Sequence, residues 1–140
     1  MNTQPVQLRV SGRRVAVVDD DAGVRRSLDR LLRSAGFSVT TFESAESFLS
    51  AGPQHFDCIV ADVYLVGMSG LDLERLLSES RGRLPVILIT AHADLSTQEK
   101  LSRSGASAVL QKPFDDSALI SAIERSLEPS TSSAHFHSAG

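Results

Sequence analysis

The sequence predicts an α/β protein built on a doubly wound parallel sheet. Short apolar, β-rich runs alternate with segments of helical period, the signature of strands joined by crossover helices. A chain of 140 residues with 41% apolar content can furnish one continuous core, so a single domain is expected.

In chain order, the runs Val15–Val18, Phe37–Phe42, Cys58–Ala61, Val86–Ile89 and Ala108–Leu110 read as five strands. After the first, Val24, Leu28, Leu31, Leu32 and Ala35 recur at helical spacing and Gly36 supplies the stop. Ala45, Phe48 and Leu49 mark a second helix and Leu73, Leu76 and Leu77 a third. A fourth, over Ser96–Ser104, has little apolar besides Leu101 and is expected to pack lightly. Leu119, Ile120, Ile123 and Leu127 mark the last. The domain is expected over residues 13–127, between a flexible polar tail at 1–12 and a disordered Ser-rich tail at 128–140. His135 and His137 in that second tail read as solvated rather than as metal ligands.

Composition excludes several function classes. Fourteen basic and 17 acidic residues, for a net charge of −3, leave no footprint for nucleic-acid backbone binding. The single cysteine, Cys58, rules out a disulfide scaffold. No apolar run approaches the roughly 18 residues that span a bilayer, and the N-terminus lacks a signal-peptide h-region. A soluble, cytoplasmic protein without a membrane partner is therefore expected.

In a sheet of this kind, right-handed crossovers cover both faces and ligands bind beyond the carboxyl ends of the strands. Those ends carry Asp19, Asp20 and Asp21 after the first strand, Asp62 after the third, Thr90 after the fourth, and Lys112 with Pro113 after the fifth. Carboxylates gathered without a cation repel, whereas a hard divalent ion satisfied by oxygen makes the cluster favourable, and Mg²⁺ leaves room for a phosphate oxygen. Asp62, flanked by an apolar run rather than by other acids, is the candidate nucleophile. Lys112 and Thr90 could supply the cation and the hydroxyl that phosphoryl transfer needs. Taken singly each has a plainer reading: Asp21 as a helix N-cap, Thr90 as a strand end, Lys112 as a surface lysine.

The segments VAVVDDDAGVRRSL, FDCIVADVYLVGMSGLDL, VILITAHAD and LQKPF together resemble the receiver domain of two-component response regulators, over nearly all of residues 13–127. ESAESFL is similar to receivers of the nitrogen-fixation regulator type, which normally carry a helix-turn-helix output domain. The chain leaves no length for one, so a stand-alone receiver acting through a protein partner is expected. The resemblance implies a flavodoxin-like, five-stranded parallel sheet of order 2-1-3-4-5. It implies Asp62 as phospho-acceptor and Asp19 and Asp20 as the acidic pair for Mg²⁺, Asp20 binding directly and Asp19 through water. The backbone carbonyl of Tyr64 would complete the metal site, and Thr90 and Lys112 would contact the phosphoryl group. The implied partners are a sensor histidine kinase or phosphotransfer protein and a downstream protein. The implied output surface, and a possible homodimer contact, is the face of the fourth helix, fifth strand and last helix.

Three positions depart from the family pattern. Leu65 and Val66 stand where a Met-Pro step is common, which removes the fixed proline φ and predicts a more mobile loop. Val109 stands where an aromatic switch residue is usual, so a ring rotation cannot operate there. Tyr64 and His92 occupy the positions two past Asp62 and two past Thr90, which in this family influence water access to the phosphoryl group. Tyr64 is expected to shield an acyl phosphate, and His92 to be an exposed loop residue. Two other functions compete. A degenerate receiver would serve as a phosphorylation-independent interaction module. A flavodoxin-type carrier of flavin mononucleotide would share the fold, but three aspartates in the first loop repel a phosphate.

Overall fold

The computed structural model describes residues 12–80 and 84–128. The two predicted tails, apart from Gly12 and Glu128 at their inner ends, lie outside the described residues, as do His135 and His137. The strands are β1 (Arg14–Val18), β2 (Ser38–Phe42), β3 (Cys58–Asp62), β4 (Val86–Thr90) and β5 (Ala108–Gln111). The helices are α1 (Ala22–Ser34), α2 (Ala45–Ala51), α3 (Gly70–Ser78), α4 (Leu95–Arg103) and α5 (Asp116–Ser126), with one 3₁₀ turn at Pro53–His55 that the sequence reading did not anticipate. All pairings are parallel and the strand order is β2-β1-β3-β4-β5, as the resemblance implied.

Alternation along the strands produces two cores. Val15 and Val17 of β1, Cys58 and Val60 of β3, and Ile87 and Ile89 of β4 pack with Leu28 and Leu32 of α1 and Leu119 and Ile123 of α5. Ala16, Val18, Ile59, Ala61, Val86 and Leu88 point the other way, onto Phe48 of α2, Leu73 and Leu77 of α3 and Leu101 of α4. Successive strand side chains face opposite sides, so a strand buried on both faces must be apolar along its buried run, as β1 is over Val15–Val18, β3 over Cys58–Ala61 and β4 over Val86–Ile89. Phe42, Phe48 and Phe56 close one end of the second core with ring centroids 5.6–5.7 Å apart, Phe42 meeting each of the others edge-on.

The caps follow from local chemistry. Asp21 accepts the Val24 N–H (3.0 Å), so its plain reading holds. Ser69 and Asp72 form a reciprocal capping box on α3, and Asp94 caps α4 through Thr97 N. That bond to the Thr97 backbone holds the Asp94 carboxyl below its usual range. As predicted, α4 buries only Leu101. Glu74 of α3 is 4% exposed and accepts the Gly105 N–H at 3.1 Å, tying α3 to the α4–β5 turn. Leu76, counted with the apolar stripe of α3, is instead exposed. No helix among the described residues is long and apolar enough to cross a membrane.

Cys58 is fully buried in β3, and burial pushes its thiol up to about 11 from 9.0. At pH 8 the native protein is therefore expected to react with a disulfide reagent at least ~100-fold more slowly than the urea-unfolded chain, since the thiolate fraction alone falls by that factor. Equal rates in a thiol-release assay would mean that β3 opens readily.

Candidate functional site

The carboxyl ends of β1, β3, β4 and β5 lie side by side. Parallel pairing sets Asp62 against Ile89, and the ladder continues through Val63 N–H to Ile89 O (2.9 Å) and Lys112 N–H to Thr90 O (2.8 Å). The Lys112–Pro113 peptide is cis.

Asp19 prolongs the pairing of β1 with β2 by donating its N–H to Phe42 O (3.1 Å). Its carboxylate accepts the Asp21 N–H (2.8 Å), and Arg25 Nη1 donates to its carbonyl (2.7 Å). Burial pushes the Asp19 carboxyl up from 3.8 to about 6. The Asp21 N–H opposes that rise, the neighbouring Asp62 charge adds to it and Lys112 counteracts it. Asp20, between two pinned neighbours, is exposed.

Asp62 is held by its own loop, Oδ1 accepting the Tyr64 N–H at 2.8 Å, while Oδ2 lies 3.8 Å from Lys112 Nζ. At that length the lysine is a charge partner rather than a hydrogen-bond donor, so its donors are free for an incoming anion. Thr90 is buried, and its hydroxyl donates to the His92 carbonyl (3.1 Å). His92 is exposed, as expected. Tyr64 is 49% exposed beside Asp62, and Val109 is 40% exposed on β5.

The structure thus brings Asp19, Asp62, Thr90 and Lys112 together but leaves Asp20 in solvent. Among the described residues no three His, Cys, Asp or Glu side chains form a ready metal-ligand group. The donor set still fits a hard ion. It consists of oxygen atoms alone, and the raised Asp19 carboxyl beside Asp62 marks a place where added positive charge is favourable. Mg²⁺ needs only one or two carboxylates, keeping water in the rest of its shell. Arg25, Glu46 and Gly70, which shape the site's backbone, were not singled out from sequence. Glu46 reaches Met68 across 22 positions, while Arg25 and Gly70 meet the nearby Asp19 and Val63 carbonyls, and contacts to backbone atoms leave no side-chain motif.

Asp19, Asp62, Thr90 and Lys112 thus meet at the carboxyl ends of the central strands, where a doubly wound sheet of this order binds its ligands. The family profile of the response regulator receiver domain matches residues 15–124, and the chain belongs to that family. Among curated proteins it is 45% identical over 114 residues to the transcriptional regulatory protein FixJ of Azorhizobium caulinodans, covering 81% of this chain and 54% of the relative. It is 39% identical over 123 residues to FixJ of Bradyrhizobium diazoefficiens, covering 85% and 60%. The chain therefore spans a little over half the length of these relatives. Among solved structures, FixJ-N is 36% identical with a TM-score of 0.75, over 84% of this chain and 95% of that one. A receiver protein from Burkholderia phymatum is 42% identical with a TM-score of 0.70, over 82% and 94%. These likenesses agree with the flavodoxin-like fold and with the resemblance read from the motifs.

Proposed function

We propose that this receiver takes a phosphoryl group onto Asp62 from a sensor histidine kinase or phosphotransfer protein and passes the signal to a downstream protein. The observation that carries the reading is the Asp62 carboxylate, oriented by Tyr64 N–H and faced by Lys112 Nζ at 3.8 Å, beside the buried Asp19. A carboxylate oxygen attacks phosphorus, the bond from phosphorus to the donor breaks, and the leaving group departs with the electron pair. Lys112 stabilises charge on the phosphoryl oxygens. Bound Mg²⁺, held by Asp19, Asp20, Asp62 and the Tyr64 carbonyl, would neutralise charge in the transition state.

Thr90 links this chemistry to the surface. Its hydroxyl can bond a phosphoryl oxygen only by giving up the His92 carbonyl, which releases the segment leading into α4. That helix holds one buried residue, and Leu95 at its start is 82% exposed. The elements α4, β5 and α5 are accordingly the proposed output surface, for a downstream protein or for a second copy of the chain. The proposed setting is the cytoplasm.

The test is intact mass after incubation with a small-molecule phosphodonor. A gain of one phosphoryl group only in the presence of Mg²⁺ is expected. No gain under any condition would replace this reading with the degenerate interaction module, for which Val109 supplies the motive. Tyr64→Asn tests the shielding role: removal of the ring is expected to shorten the acyl phosphate lifetime about 3- to 10-fold by admitting water. An unchanged decay rate would leave Tyr64 without that role.

A further inference from the structure

The segment from Asp62 to Gly70 carries the Tyr64 carbonyl, yet it lacks the proline that often stiffens this step in the family. Leu65 is buried in the core beneath α2–α4, while Val66 is 80% exposed and Gly67 adopts φ +85°. Beyond them, the Met68 N–H donates to Glu46 Oε2 at 2.9 Å. A Cβ at Gly67 would lie 2.9 Å from that same oxygen, so the loop backbone is pressed against the carboxylate. Among the described residues, Glu46 is the only side chain from outside residues 62–72 that hydrogen-bonds the loop. Its own base is firm, because α2 is capped by Ser44 and anchored by the fully buried Phe48 within the three-ring cluster.

We propose that Glu46 is a positioning residue for the phospho-acceptor loop, clamping it at Met68 so that the Tyr64 carbonyl and N–H stay aligned with Asp62. The clamp does from α2 what a proline would do within the loop: it removes backbone freedom between the buried Leu65 and the capped start of α3. Its alignment with Mg²⁺ binding rests on the function proposed above. The plainer role of Glu46 is that of an acid in the first turn of α2, favourable to the helix dipole. The two roles separate by substitution, since glutamine keeps an oxygen acceptor and loses the charge, while leucine loses both.

The experiment compares the full chain with Glu46→Gln and Glu46→Leu by two readouts. One is hydrogen exchange at the Met68 amide without Mg²⁺. The other is MgCl₂ titration of the intrinsic fluorescence of Tyr64, the sole tyrosine in a chain without tryptophan. In Glu46→Leu we expect Met68 exchange to rise about tenfold or more, and the half-saturating Mg²⁺ to rise about tenfold, as for other residues that orient a ligand from behind. Glu46→Gln should stay within about threefold of wild type on both. A glutamine variant as defective as leucine would assign the effect to charge and overturn the clamp. Faster Met68 exchange with an unchanged Mg²⁺ demand would reduce Glu46 to a structural tether, which also overturns it. A wild-type chain without any Mg²⁺ response would instead sink the function proposed above, and Met68 exchange would still decide whether Glu46 holds the loop.

Discussion

Asp62→Ala is expected to take up no phosphoryl group under any condition, and Lys112→Ala to take it up about 10²-fold more slowly than wild type. The first follows from the absence of a second candidate nucleophile with the same support: Asp19 is buried and committed to the Asp21 N–H, and Asp20 is exposed and forms no ion pair among the described residues. The second follows from where charge develops. Lys112 Nζ stands 3.8 Å from Asp62 Oδ2 with its side chain about one-third exposed, so its ground-state attraction to Asp62 is partly screened and worth at most ~1 kcal/mol. Its larger contribution comes in the transition state, where a single preorganised donor is worth ~2.7 kcal/mol or more, about 10² in rate. Lys112→Ala should therefore leave urea stability within about 1 kcal/mol of wild type while slowing transfer. Time courses of intact mass at fixed phosphodonor and Mg²⁺ check both. Uptake by Lys112→Ala at the wild-type rate would remove Lys112 from the chemistry.

These residues were legible because of where strands end. β1, β3 and β4 announce themselves as continuous apolar runs, and in a parallel sheet with crossovers on both faces the next polar residues must reach the same edge. The expected strands and helices appear with small shifts in their ends. β1 begins at Arg14 and β2 at Ser38, since backbone pairing extends past the apolar run at one point and starts after it at the other. What could not be read is whatever depends on contact between distant segments. Asp19 and Asp20 look equivalent as letters, yet one is buried against β2 and the other is left in water. Glu46 meets Met68 across 22 positions and Glu74 meets Gly105 across 31, so neither pair has a periodic or motif signature. The missing proline at Val66 was visible. The carboxylate that reaches the loop from α2 was not.

Gly70→Ala separates local propensity from packing by the sign of its effect. Gly70 is the first residue of α3 and has no positive φ, so its glycine is not required by backbone conformation. On propensity alone, alanine at a helix position would stabilise by up to ~1 kcal/mol. But a Cβ there would collide with the Asp62 carbonyl oxygen and lie 3.0 Å from both Asp62 C and Val63 Cα. Those neighbours are backbone atoms at the end of a central strand, fixed by Gly70 N–H to Val63 O (2.9 Å) and Val63 N–H to Ile89 O (2.9 Å), and they cannot turn aside as a side chain would. The methyl can be accommodated only by moving α3 or by shifting the peptide after Asp62. Overpacking of this kind costs ~1–3 kcal/mol or more, which outweighs the propensity gain. We therefore expect urea unfolding to show a loss of about 2 kcal/mol. Because the displaced peptide adjoins the one whose Tyr64 N–H orients the Asp62 carboxylate, phosphoryl uptake should slow as well, by about tenfold or more. A variant as stable as wild type, or more so, would show that α3 does not press on the phospho-acceptor strand. Lost stability with an unchanged uptake rate would locate the accommodation in α3 alone, leaving the Asp62 peptide where it is.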